Sequence, residues 1–158
     1  MYQSPSSLAP EARTEISQAL NVVLTDGIDL QTQIKVAHWN IKGPQFPGLH
    51  PLFDTFAQEL SLHNDGIAER VVTLGALAVG TARHVAANSS LSDYPQDVTR
   101  DQEHVKLLAS RFESYLASLR KGRAVAEKHG DDDTVDQLTA VVQAFEKHAW
   151  FLRASQAD

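Results

Sequence analysis

Apolar residues recur at helical spacing in four long stretches of this chain, and the intervals between them leave little room for anything else. In the first stretch Ile16, Leu20, Val23, Leu30 and Ile34 follow one another at steps of four, three, seven and four, a single seam along one helix face. The spacing predicts a helix from Glu11 to about Lys42, with Pro10 in its first turn and Glu11 and Glu15 favourable near its N-terminus. The seven-residue step passes over Gly27, which weakens the helix slightly and lets a neighbouring helix come close. Gly43, Pro44, Pro47 and Gly48 end the helix in a loop. A second helix is expected from near His50–Pro51 to about Val79, on the stripe Phe53, Phe56, Leu60, Ile67, Val71 and Leu74. A third is expected from about Val98 to His129, with Val105, Leu108, Phe112, Tyr115, Leu116 and Leu119 inward and Gly130 closing it. The fourth opens at the acidic turn Asp131–Asp133, which complements the helix dipole, and carries Leu138, Val142, Phe145, Ala149 and Leu152.

Between the second and third helices lies Gly80–Asp97, with Asn88, three serines and Pro95. It is too long for a tight turn and fits a connection crossing the bundle with a short helix of its own. The expected fold is therefore all-α: a ferritin-like four-helix bundle with one long crossover. The first ten residues, MYQSPSSLAP, read as a short flexible arm (1–10) ahead of one bundle domain (11–158). At 158 residues with 42% apolar side chains the chain can bury a real core. Zero cysteines exclude disulfides, thiolate metal sites and thiol catalysis. No run reaches the roughly 18 apolar residues of a membrane span and none has signal-peptide layout, so a cytoplasmic protein without membrane partners is expected. The net charge of −6 favours attraction of cations over nucleic acid.

Five potential metal ligands lie between Lys35 and Gly75: His38, His50, Asp54, Asp65 and Glu69. His38 follows Leu20 by eighteen residues, five full turns, and so returns to the angle of the buried seam. A histidine there is either a hydrogen-bonded core residue or a ligand. His50 and Asp54 are four residues apart, as are Asp65 and Glu69, so each pair shares a helix face. Asp65 follows Asp54 by eleven residues, which keeps both pairs on the same side but separates them by about 16 Å, beyond the reach of one ion. One helix cannot close such a site. The same side carries Ala57, Ser61, Ala68 and Val72, mostly small residues that admit a neighbouring helix. An antiparallel copy related by a two-fold axis near residues 59–60 would bring Asp65 and Glu69 beside the partner's His50 and Asp54, making two identical sites. Two imidazoles and three carboxylates suit iron, manganese or zinc. Charges at helical spacing are otherwise simply a solvated face.

The residues His38-Trp39-Asn40, Gly43, Phe46, His50, Asp54, Asp65 and Ala68-Glu69-Arg70, with Leu74-Gly75, the run Asp131–Ala140 and Trp150-Phe151, resemble the signature of the Dps family of miniferritins. All five ligand positions match in spacing. The resemblance implies twelve subunits in a hollow shell built from two-fold dimers, with ferroxidase sites shared between subunits. His38, His50 and Asp54 would come from one subunit, Asp65 and Glu69 from the other. It implies oxidation of Fe(II), preferably by hydrogen peroxide with dioxygen as the other oxidant, storage of ferric mineral, and protection against oxidative stress. It also places Trp39 beside the site and Asp133 and Asp136 at an iron-entry pore. A tryptophan at an interface and helix N-terminal charge are the plainer readings of those residues.

The chain departs from the family in two places. Its N-terminal arm holds no basic side chain, so DNA binding is not expected. Pro51 stands where many members carry a cavity-facing acidic residue. Two other readings compete. A nucleoid-associated, DNA-protecting protein with a vestigial metal site is opposed by the uncharged arm. A di-iron site inside one bundle needs Glu-x-x-His pairs, which this chain lacks. His84, His104 and His148 are left as potential extra metal ligands, whereas His63 falls on the opposite side of its helix from Asp54.

Overall fold

A computed structural model describes residues 3–156; Met1 and Tyr2 of the arm and the last two residues lie outside the described part. Five helices follow in order: α1 Pro10–Asn40, α2 Phe46–Thr73, α3 Ala82–Asn88, α4 Asp101–Lys128 and α5 Asp132–Ala154. The four long ones form the bundle, with α1 packed along α2 and α4, α4 along α5, and the short α3 against α1. The described residues contain no strand beyond one isolated bridge between Lys42 and Arg100. The expected ferritin-like bundle with a helix-bearing crossover is the observed architecture.

All the apolar stripes face the core. Ile16, Leu20, Leu30, Ile34, Phe53, Phe56, Leu60, Ile67, Phe112, Tyr115 and Phe145 are fully buried. At the centre, the Phe56 and Phe145 rings each meet Phe112 edge-on, at 5.5 and 5.2 Å between centroids, and Tyr115 meets Phe145 at 5.3 Å. At Gly27, α1 and α2 approach closely. A Cβ there would stand 2.2 Å from Asn64 Oδ1, so the skipped position of the seam is occupied by the neighbouring helix.

Several helix limits differ from expectation, each for a local reason. The first helix stops at Asn40 because Ile41 turns extended and Lys42 N donates to Thr99 O, at 2.7 Å. That same bridge keeps Arg100 extended and delays α4 to Asp101. The second helix starts one turn early, at Phe46, with Pro47 in its first turn, so His50 lies within it. It ends at Thr73 rather than near Val79, because Gly75 adopts φ 90° and Ala76 N bonds back to Val71 O. The described part of the arm lies against the bundle: Ser4 Oγ donates to Thr73 O and Leu8 packs on the core.

Polar side chains tie the crossover down. Asp26, wholly buried, accepts from Ser90 N and Oγ at 2.8 Å each. Arg111 donates to Ser92 O, Asp93 O and Gln33 Oε1, and Gln33 Nε2 also donates to Ser92 O. Asp131 does more than charge a helix end. It caps α5, is buried, and accepts from Arg70 Nη2 at 2.6 Å, while Arg70 Nε donates to Thr134 Oγ1. Substituting Arg70→Met strands that carboxylate and is expected to cost about 3 kcal/mol, with part returned by adding Asp131→Asn. Denaturant unfolding of the single and double variants measures both; an Arg70→Met protein as stable as the parent would refute the pairing.

Candidate metal centre

His38, in the last turn of α1, and His50, in the first turns of α2, face each other across the loop that joins the helices. Their rings stack at 3.8 Å between centroids. His38 Nδ1 lies 2.8 Å from His50 O, and His50 Nδ1 lies 2.9 Å from His38 O. A carbonyl oxygen can only accept, so each Nδ1 carries the hydrogen. In the neutral ring this leaves each Nε2 with a lone pair, the form in which an imidazole binds a metal. His38 is half-buried rather than fully inside, since the seam ends at Ala37 and His50 covers the remaining ring face.

One turn along α2 from His50 stands Asp54. Lys35 Nζ donates to its Oδ1 at 2.7 Å and Gln58 Nε2 to its Oδ2 at 2.7 Å. The lysine bond holds the Asp54 carboxyl below its usual range and keeps it anionic. Lys35 also stands 5.9 Å over the ring of Trp39, which is 67% exposed. Sequence reasoning missed Gln58, although its place four residues after Asp54 on one helix was the available signal.

Asp65 and Glu69 lie farther along the same helix, both exposed. Among the described residues neither carboxylate has an ion-pair partner, and no three His, Asp or Glu side chains gather closely enough to hold a metal ion. The structure thus brings His38, His50 and Asp54 together and leaves Asp65 and Glu69 apart. Shallow hollows flank the second pair. One of 440 Å³ is bounded by Ser61, Leu62, Asp65 and Ala68, another of 430 Å³ by Ala68, Glu69 and Val72. Leu62 in the first of them is 75% exposed. A hollow of 820 Å³ between the arm and Leu74–Leu77 holds none of the five.

Asp133 and Asp136 are exposed on the first turns of α5, with Asp133 Oδ2 3.9 Å from Arg70 Nη2. Pro51 sits exposed within α2. Of the remaining histidines, His104 is fully buried with Nδ1 2.7 Å from Tyr94 Oη. His129 joins Lys128 at Glu15, where the lysine bond first and the histidine second bring the carboxyl pKa down to about 2. His84 lies in α3, and His148 binds Glu59.

The ferritin-like domain family matches residues 17–157 of this chain. A DNA protection during starvation protein of Agrobacterium fabrum is 37% identical over 153 residues, covering 97% of this chain and 94% of that protein. A DNA protection during starvation protein 2 of Bacillus anthracis is 34% identical over 140 residues, covering 89% and 95%. Among solved structures, DpsC from Streptomyces coelicolor superposes with a TM-score of 0.94 at 35% identity, over 99% of this chain and 92% of that one. Mycobacterium smegmatis Dps does so with a TM-score of 0.90 at 29% identity, over 98% and 87%. With its bundle, its crossover helix and these relatives, the chain belongs to the Dps family of ferritin-like proteins.

Proposed function

We propose that this protein is a ferroxidase whose sites lie between two-fold-related subunits of a dodecameric shell. Iron is its substrate and its stored cargo. His38, His50 and Asp54 of one subunit and Asp65 and Glu69 of the other form each site. Two Fe(II) ions lose one electron each to one hydrogen peroxide, which takes up two protons and leaves as two waters, so no hydroxyl radical is released. The ferric product collects as mineral inside the shell. Dioxygen serves as the alternative oxidant, and the setting is the cytoplasm.

The observation that carries this reading is the split donor set along α2 and the end of α1. One half has two histidines held as Nε2 donors and an anionic aspartate, and about 16 Å away are two exposed, unpaired carboxylates. Neither half alone satisfies an iron ion, and a second copy of α2 running antiparallel supplies each with the other. The small residues and the exposed Leu62 around Asp65 and Glu69 suit that contact. In this reading Glu69 holds iron most tightly, with His38 and Asp54 at the first position and His50 and Asp65 at a second. Lys35 and Gln58 yield Asp54 when the cation arrives. Trp39 stands ready to take stray oxidising equivalents, and Asp133 and Asp136 draw Fe(II) toward the shell.

Anaerobic loading with Fe(II) followed by hydrogen peroxide should give fast growth of ferric absorbance from a species with twelve-subunit native mass. Glu69→Ala should slow oxidation at least tenfold; a rate no better than buffer in the parent protein would sink the proposal. Co-assembly of inactive His38→Ala with inactive Glu69→Ala subunits tests the sharing directly. Random pairing restores both halves in about a quarter of the sites, so activity should reappear. Mixed shells as inactive as their parents would place the whole site within one subunit.

The relatives named for DNA protection make DNA the other ligand to test. An arm with no cation offers phosphate nothing, so at about 150 mM salt no retarded plasmid band is expected. A retarded band would instead support a nucleoid protein with a vestigial metal site.

A further inference from the structure

The hollow between the arm and the end of α2 holds a cation and no anion. Three polar residues of α1, Arg13, Ser17 and Asn21, border it at steps of four and so share one face of that helix. Asn21 closes one end, where its Nδ2 donates to Leu77 O and its Oδ1 accepts from Val79 N, at 3.0 Å each. Arg13 borders the other end and makes one long contact, from Nη1 to Leu74 O at 3.5 Å. Opposite them, Leu74 to Leu77 form an apolar wall on which Leu77 is 77% exposed.

Two donors at this hollow lack partners. Ser17 is 2% exposed, and its buried Oγ has no hydrogen-bond partner among the described residues; neither has Arg13 Nε. Among the same residues Arg13 forms no ion pair and no Asp or Glu borders the hollow. That is unexpected in a chain with 20 carboxylate side chains against 14 Lys and Arg. Pro10 starts α1 beside Arg13 with no side chain capping the helix, so the positive end of the helix dipole adds to the guanidinium charge. A carboxylate is the partner such a guanidinium binds best, through two parallel hydrogen bonds. The volume of 820 Å³ lies in the range of roughly 300–1,000 Å³ typical of small-molecule sites, which pair apolar walls with a few placed polar groups. An inorganic ion would leave most of it, and all of the Leu77 wall, unused.

We propose that this hollow binds a small organic carboxylate, its charged head on Arg13 and Ser17 and a short apolar body on Leu77. The guanidinium supplies charge-assisted hydrogen bonds, the Ser17 hydroxyl a further donor, and burial of methylene groups against Leu77 the remaining affinity. The site uses none of the five candidate iron ligands, so it stands whether or not the inter-subunit centre does.

Calorimetric titration of the assembled protein with hexanoate tests this, with hexanol and inorganic phosphate as comparison ligands. Hexanoate should bind once per chain, at least tenfold more tightly than either hexanol or phosphate. Arg13→Gln should weaken hexanoate at least tenfold at unchanged circular dichroism. Leu77→Ser, at an exposed position that the fold does not need, should weaken it at least threefold and leave the charge in place. Binding of hexanol or phosphate as tight as that of hexanoate would overturn the proposal. So would an affinity indifferent to both substitutions, or no hexanoate binding at all, which would leave the hollow as a surface covered by a second copy of the chain.

Discussion

The meeting of Phe56, Phe112 and Phe145 at the centre of the bundle sets the rotation of α2 about its own axis, and the positions of the functional side chains follow from it. Edge-to-face rings gain from geometry as well as from buried area, so turning α2 would lose both. With Phe53, Phe56, Leu60 and Ile67 committed to the core, the angle of every other residue on the helix is determined. Asp65 and Glu69 fall on a face that the subunit leaves exposed, and His50 and Asp54 fall half-buried beside the end of α1. Glu59 falls on the other flank, toward His148 of α5. One packing decision thus sets both polar flanks of the helix.

The polar interior does different work. Asp26, Gln33 and Arg111 satisfy the backbone and serines of the crossover, and Arg70 reaches Asp131 at the start of α5. These contacts join segments 18 to 64 residues apart in sequence. Buried ionic groups contribute less to net stability than to arrangement, because desolvation offsets much of their attraction. Here they determine where a long connection crosses the bundle and where its final helix begins.

Much of the architecture was legible beforehand because helical periodicity reports burial directly: every residue named on the four apolar stripes lies within the core. Boundaries were less legible. Gly75 carried the stop signal for α2, yet the apolar residues Ala76–Val79 beyond it imitate a continued helix. The start of α4 depends on a backbone bridge to Lys42, nearly sixty residues away, which no local pattern encodes. At the candidate centre, the spacing that sets His50 with Asp54 and Asp65 with Glu69 on one helix was legible, because all four lie on α2. The Nδ1–carbonyl clasp between His38 and His50 was invisible, because it needs the loop geometry that lays one helix end on the next.

The sequence by itself determined the class of fold, the inward face of each helix and the impossibility of closing a five-ligand site along one helix, since all three follow from the fixed rise and rotation of the α-helix. Only the tertiary structure decided which ring nitrogens are free, which carboxylates are held and which stand open, because those depend on partners brought in from other helices. The contact of Glu59 with His148 is the clearest instance. The two lie 89 residues apart, and only the packing of α5 along α2 makes them neighbours.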